Sequence, residues 1–454
     1  MKPADTDNAQ PRYLIVGAGP AGLAQARAFL RHGMAFDTVE RHHTVGGIWD
    51  ITRDDSPIYD SAHFISSKTQ SAYFDYPMPD SYPDYPGHQQ LFAYLNGFAD
   101  EFGLREHIEF NISVDHAVWN EDHWDVALSN GDKRTYAGVV CASGTQWIPN
   151  MPSIPGTFAG RLMHSVEYRS LDAFRGKRVL VIGAGNSGVD IACDAARGAD
   201  TAVISMRRGY HVVPKHIFGM PADVFASTGP HLPMKAAQWI FPKLLRVLHG
   251  KPQRYGLPKP DHKLFETHPI VNSQILHYLS HGDLCVKPDV SGFDGNTVVF
   301  SDGTKQDFDV VVMATGFHTR VPYLDESYFE WKGNRPQLYM RLANPTHPTL
   351  FAMGFTEGDG GAYELFDEMA DLVANAATTF ATGGPAAARW MQQMRTDQPD
   401  LQGGVKHVDS DRHQSYLHLV PYRHHYKSIY KKFGWTPVRT GSFASLRRSK
   451  APAA

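Results

Sequence analysis

The chain has 454 residues, more than one ordinary hydrophobic core accommodates, which points to two domains with one inserted in the other. It is 42% hydrophobic and 20% charged with a formal net charge of −3, the balance of a globular chain with no basic field to attract nucleic acid. Cys141, Cys193 and Cys285 lie far apart and form no paired motif, and no leader-like or membrane-length apolar run is present; the expectation is a cytoplasmic protein without a metal site or membrane span.

The first predicted element is the apolar strand Tyr13-Leu14-Ile15-Val16, which runs into Gly17-Ala18-Gly19-Pro20-Ala21-Gly22. This is a dinucleotide fingerprint. Gly17 permits the turn, Gly19 lets backbone approach a pyrophosphate, and Gly22 lets the following helix lie close to the sheet with its N-terminus facing the anion. Pro20 and Ala21 open that helix, predicted over 21–32, and Gly33 closes it. A short strand over 36–39 then ends at Glu40, an acceptor for ribose hydroxyls, so this site reads as one for FAD.

Segment 46–98 interleaves prolines with aromatic residues from Trp49 to Phe98, a composition that either walls an apolar pocket or packs the domain. Strands are predicted over 108–114, 124–128 and 139–142. After Ala142-Ser143-Gly144 the chain becomes proline-rich, which marks a crossing out of the first domain. Val179-Leu180-Val181-Ile182 then runs into a second fingerprint, Gly183-Ala184-Gly185-Asn186-Ser187-Gly188. The strand over 201–205 leads from Ser205 to Arg207-Arg208, cations suited to a 2′-phosphate with Lys215 as a further candidate near them, so the second site reads as one for NADPH. An extra helical segment near 222–250 either caps a site or packs. The buried-strand run from Asp309 ends at Ala314-Thr315-Gly316, a second crossing. The predicted fold is α/β with two Rossmann-like domains: an FAD domain over 1–170, an inserted NADPH domain over 171–308, and 309–454 completing the first.

Between the fingerprints lies Phe158-Ala159-Gly160-Arg161-Leu162-Met163-His164-Ser165-Val166-Glu167-Tyr168, which matches the FxGxxxHxxxY signature of the flavin-containing monooxygenases, a family of class B flavoprotein monooxygenases. Gly46-Gly47-Ile48-Trp49, the Ala-Ser-Gly crossing at Gly144, the Gly-Asn-Ser-Gly form of the second fingerprint and Ala314-Thr315-Gly316 resemble the same family in the same order, over roughly 12–320. The resemblance implies FAD and NADPH as cofactors, with Gly47, Ile48, Trp49, Ile65, Gly144, Asn186, Ser187, Thr315 and Gly316 beside them. It implies a small-molecule substrate and O2, a 4a-hydroperoxyflavin awaiting an amine or sulfide, and the homodimer common in the family. His164 is expected to be a neutral imidazole donating to backbone and fixing the domain junction rather than an acid or base.

One departure stands out. Family members that oxygenate amines usually carry an Asn before Ser-Lys, whereas this chain reads His63-Phe64-Ile65-Ser66-Ser67-Lys68. Ile65 cannot donate a hydrogen bond to a developing oxygen charge, which leaves Ser66 as the nearest candidate catalytic donor. Tyr168 followed by Arg169, rather than a Trp ending, favours heteroatom oxygenation over Baeyer–Villiger oxygenation of ketones. A disulfide reductase would need a cysteine pair, and an uncoupled NADPH oxidase stays open through Ile65. The stretch 354–361 reads as a loop opening a helix, either a lid at the cofactor edge or an ordinary surface loop.

Overall fold

The computed structural model describes residues 10–229, 232 and 234–448. Two five-stranded parallel sheets organise it. The first has spatial order Leu350–Ala352, Gly138–Cys141, Arg12–Val16, Ala35–Glu40, Ile108–Phe110, with the fingerprint strand at its centre. Its inner strands are apolar on both faces: Tyr13 and Ile15 pack with the helices on one side, and Leu14, Val16, Val139 and Cys141 pack with the antiparallel strands around Ala117, Trp124 and Val126 on the other. The edge strand Leu350–Ala352 comes from beyond the second nucleotide unit, so the first sheet is closed by chain that has left it and returned.

The second sheet runs Arg161–His164, Val310–Met313, Arg178–Ile182, Thr201–Ser205, Cys285–Lys287, again all parallel. It draws strands from both sides of the 171–308 span expected for the nucleotide unit. The chain therefore passes between the sheets twice, at 142–150 and at 314–318, and the passages are bonded to each other. Ile148–Pro149 pairs antiparallel with Phe317–His318, Asn150 N–H donates to Gly316 O (2.9 Å), and Thr315 Oγ1 donates to Asn150 O (2.5 Å).

Helix Pro20–Arg31 packs against the long helix Ala362–Thr382. At their contact Arg27 pairs with Asp367 at 2.5 Å with both side chains at 0% exposure. The guanidinium lies 3.7 Å from the Phe443 ring centroid and 4.6 Å from those of Phe98 and Phe102. Phe74 is tied into the same pair, its carbonyl accepting from Arg27 and its N–H donating to Asp367, each at 2.9 Å. Burial pushes the Asp367 carboxyl up to about 6 although Arg27 opposes it.

Two expectations are revised, and one open alternative is decided. The strand predicted over 108–114 is two strands in different sheets: Asn111 has φ 58°, and the chain turns there from Ile108–Phe110 into the antiparallel Val114–Asn120. The 46–98 rings mostly pack: Tyr73 stacks on Phe98 (4.1 Å) and Tyr363 (4.6 Å), and Trp49 meets Phe64 edge-on at 5.1 Å. The 354–361 stretch is not free, since Glu357–Gly358 pairs with Tyr416–Leu417 and Asp359 accepts from Leu419 N–H at 2.9 Å. The 222–250 segment forms helices Ala222–Thr228 and Met234–His249, the second leaving Trp239 and Val247 65% and 82% exposed. No helix among the described residues is long and apolar enough to cross a membrane.

Candidate dinucleotide sites and the cleft between them

The two fingerprints fold by the same local rules. Gly17 and Gly183 adopt φ +107° and +109°, and a Cβ on either would fall 2.6 Å from Ala142 O or 2.4 Å from Ala314 O. Gly22 and Gly188 sit where a Cβ would strike the carbonyl of the turn glycine, at 1.9 and 2.2 Å. These four glycines answer to the protein's own backbone. The middle glycines do not. Nothing lies within 4 Å of where a methyl group on Gly185 would stand, and for Gly19 the nearest atom is Gly47 Cα at 3.4 Å. The space beside them is thus kept open for something other than the chain, as a pyrophosphate requires.

Both helix starts fit that occupant. Gly19 and Gly185 are the N-cap residues of Pro20–Arg31 and Asn186–Gly198, neither helix has a side-chain cap, and neither carries an acid in its first turn. Their N–H groups and dipoles face open space without competition. Pro20 and Ala21 stand at the first start, and Ala21 Cβ lies 3.3 Å from the Cβ position of Gly354.

Around the first turn, Glu40 accepts from Ala18 N–H at 2.7 Å and from His42 N–H at 3.0 Å. Both oxygens hold the loop yet keep lone pairs for a further donor. Gly46 N–H donates to Ala18 O (3.1 Å), and Gly47 packs on Gly19, so Gly47–Trp49 lines the same turn, with Ile48 partly buried and Trp49 buried. Gly144 (φ +82°) follows the strand that flanks Gly17. Trp49 leads through Phe64 to Ile65 and Ser66, both half-buried; Ser71 Oγ donates to Ser66 Oγ at 2.7 Å, leaving Ser66 its own hydrogen.

Around the second turn, Asn186 Oδ1 accepts from Val271 N–H (2.9 Å) and Ser187 follows it in the first helical turn. Ser205 donates to Pro288 O at 2.7 Å. Arg207 is exposed and Arg208 half-buried, and neither guanidinium makes a hydrogen bond or ion pair among the described residues. Thr315 directs its hydroxyl to the other crossing, and Gly316 (φ +85°) offers its carbonyl to His164.

The signature between the fingerprints is a brace. A Cβ on Gly160 would meet Asp309 O at 2.6 Å, so the strand must lie close to its neighbour. His164 Nδ1 accepts from Val166 N–H (3.2 Å), leaving Nε2–H to donate to Gly316 O at 2.9 Å. Burial lowers its pKa, so the ring is neutral and fixes the junction. Tyr168, fully buried and stacked on Phe174, donates to Asp194 on the nucleotide helix at 2.9 Å. Arg169 donates to the carbonyls of Arg53 (3.3 Å) and Asp54 (2.9 Å) in the first domain.

The sequence did not single out the residues that close the cleft. Tyr59 donates to Asp190 (3.1 Å) and Ser61 to Asp194 (2.5 Å), joining the 46–98 segment to the nucleotide helix; Asn272 also donates to Asp190 at 2.6 Å. Burial pushes Asp190 up to about 6. Two acids at i and i+4 on the sheet-packed helix were the available signal. His63, Lys215, His216 and the turn Asn272–Gln274 line a cavity of about 310 Å3, whose desolvation brings Lys215 down to about 8. Cys141, Cys193 and Cys285 are all unpaired.

The flavin-binding monooxygenase-like family pattern matches residues 10–415. Flavin-containing monooxygenase 3 of Canis lupus familiaris is 32% identical over 382 residues, covering 78% of this chain and 71% of that protein. The probable indole-3-pyruvate monooxygenase YUCCA9 of Arabidopsis thaliana is 34% identical over 370 residues, covering 77% and 85%. Among solved structures, S-allyl-L-cysteine S-oxygenase from Allium sativum shares the fold with a TM-score of 0.65 at 20% identity, over 95% of this chain and 90% of that one.

Proposed function

Because the chain belongs to the flavin-binding monooxygenase-like family, we propose that it inserts one atom of O2 into a soft nucleophile, an amine nitrogen or a sulfide sulfur. Membership makes it an FAD-containing, NADPH-dependent monooxygenase. When bound, the flavin supplies the oxygen chemistry, and the protein's part is to hold, orient and shield it.

The observation that carries the reading is the second turn: an open Gly185 at an uncapped helix start, followed beyond the adjacent strand by two cations with no ion-pair partner among the described residues. Arg207 and Arg208 would take the 2′-phosphate and the helix start the pyrophosphate, while Glu40 would take the ribose of the flavin nucleotide. The packed rings of Trp49, Phe64 and Tyr363 would exclude water next to the turn of Gly19 and Gly47, and Ser66 would offer a hydroxyl beside them. The Tyr168-Arg169 ending supports heteroatom over ketone oxygenation.

Ile65 favours a second reading, an enzyme that passes electrons from NADPH to O2 with little product, because the side chain beside Ser66 donates nothing. Mass spectrometry of products formed from sulfides, amines, indole and ketones, with NADPH consumption and hydrogen peroxide measured together, separates the readings. Sulfoxide or N-oxide accounting for most of the NADPH supports oxygenation; lactone or ester points to Baeyer–Villiger chemistry; peroxide alone sinks the proposal.

A further inference from the structure

The cavity between the nucleotide folds has a cation in its wall and no counter-ion. Lys215 is half-buried and makes no hydrogen bond or ion pair among the described residues; its neighbour is the Tyr85 ring, with Nζ 5.1 Å from the centroid. Its backbone is pinned, since its carbonyl accepts from Ala222 N–H at 2.8 Å and from the Tyr85 hydroxyl. The surrounding acids are already engaged. Asp84 pairs with His216 (2.9 Å), Asp190 accepts from Asn272 and Tyr59, and Asp223 accepts from Ser67 N–H (2.6 Å). No carboxylate lines the cavity, whereas Ser273 and Gln274 add a hydroxyl and an amide. A partly desolvated ammonium among neutral donors is complementary to an oxyanion.

We propose that Lys215 receives the carboxylate of the substrate, so that the molecule oxygenated is a small organic acid bearing a sulfur or nitrogen nucleophile. The proposal rests on the heteroatom reading and names its substrate class. The cofactor's own phosphates have other partners: Arg207 and Arg208 beyond the strand for one, and the uncapped helix start at Gly185 for the pair. The cavity instead reaches His63, two positions before Ile65, and about 310 Å3 is at the small end of ligand pockets, which run to roughly 1,000 Å3. For a thioether acid the reaction balances as one thioether, one O2, one NADPH and one proton giving one sulfoxide, one NADP+ and one water. Sulfur loses two electrons and NADPH two, one oxygen atom bonds to sulfur, and the other leaves as water.

The test uses the FAD-loaded enzyme with NADP+ present and two probes, 3-(methylthio)propanoate and its methyl ester. Calorimetry should show the acid binding the wild type more tightly than the ester. In Lys215→Met the acid-to-ester affinity ratio should fall ten-fold or more, and Lys215→Arg should restore most of it. An acid-to-ester ratio the same in wild type and Lys215→Met overturns the proposal. So does a comparable rise in the NADPH dissociation constant for anaerobic flavin reduction, which would assign Lys215 to the cofactor. If the acid binds through Lys215 but no sulfoxide forms under turnover, the carboxylate site stands and the heteroatom reading fails.

Discussion

Gly185→Ala should separate cofactor binding from folding. The residue has φ −69° and ψ 175°, which alanine adopts freely, and a Cβ there meets no atom of the chain within 4 Å. Losing glycine at an N-cap costs a few tenths to about 1 kcal/mol, and the smaller entropy of the unfolded alanine chain returns about 0.4–1 kcal/mol. The melting temperature should therefore move by no more than about 3 °C. The methyl group occupies the space the pyrophosphate needs. Displacing two backbone N–H donors from an ionised phosphate removes about 1.5–3 kcal/mol each, so NADPH affinity should drop by at least a hundred-fold. The control is Gly188→Ala, whose Cβ would lie 2.2 Å from Gly183 O and must push the helix off its strand; it should lower the melting temperature markedly. Differential scanning fluorimetry, FAD content by absorbance and anaerobic flavin reduction across NADPH concentrations read all three quantities. A Gly185→Ala enzyme that keeps full FAD and is reduced by NADPH with an affinity within two-fold of wild type would refute the placement of the pyrophosphate.

Replacing Arg207 and Arg208 together by Ala should raise the Michaelis constant for NADPH ten-fold or more and that for NADH little, since each charge-assisted phosphate contact contributes about 1.5–3 kcal/mol before solvent screening reduces it; equal losses would mean a folding defect or a wrong site. Gly19→Val should abolish FAD retention with the protein still folded, whereas Gly17→Val should lose fold and flavin together because of its φ of +107° and the Ala142 carbonyl; proteolytic stability and bound absorbance distinguish the two. Ile65→Asn adds a donor of similar size, worth up to about 2.7–4 kcal/mol at a developing charge, and should raise product formed per NADPH consumed, while Ser66→Ala lowers it; no change in either places the stabilising group elsewhere. Arg27→Met leaves Asp367 buried and unpaired and should destabilise by about 3–5 kcal/mol in urea titration, with Arg27→Met/Asp367→Leu recovering much of it. Without Arg27 the folded carboxyl titrates still further above its unfolded value. The folded chain then holds a proton that the unfolded chain has released, so stability declines as pH rises through the folded pKa. The loss should be larger in mildly alkaline than in mildly acidic buffer, and an equal loss in both counts against this account.

Both nucleotide turns were legible because their determinants are local. A positive φ at Gly17 and Gly183 and a helix pressed on its own strand at Gly22 and Gly188 involve residues five positions apart, and such needs appear as glycine spacing. His164 was legible for a similar reason, since a histidine inside a signature at a domain crossing has backbone to bond. The strand Arg161–His164 escaped notice because four residues with an exposed first half carry no periodicity, and Asn111 because one left-handed residue interrupts an otherwise strand-like run. The cleft was illegible. Lys215 was legible only as a further cation near the 2′-phosphate; His63 and Asn272 are ordinary residues far from it in sequence, and only the folded chain puts the three around one space. Asp190 and Asp194 were visible as acids on a packed helix, but nothing local names Tyr59, Ser61 or Tyr168 as their partners.

The doubled neck between the sheets sets the mechanics of the molecule. A single linker would let one half swivel about the other. Here two passages lie side by side, laced by Asn150, Thr315 and Gly316 and locked to the second sheet by His164. Such a ribbon flexes across its flat face but resists torsion, because rotation about its long axis would stretch one rail and shorten the other. Across the gap in which Lys215 stands the halves are tied again, Tyr59 to Asp190, Ser61 to Asp194 and Ser67 to Asp223, so neck and clasps together hold the two fingerprints at one facing. A nicotinamide delivered by one half would then meet the same edge of a flavin held by the other at each turnover.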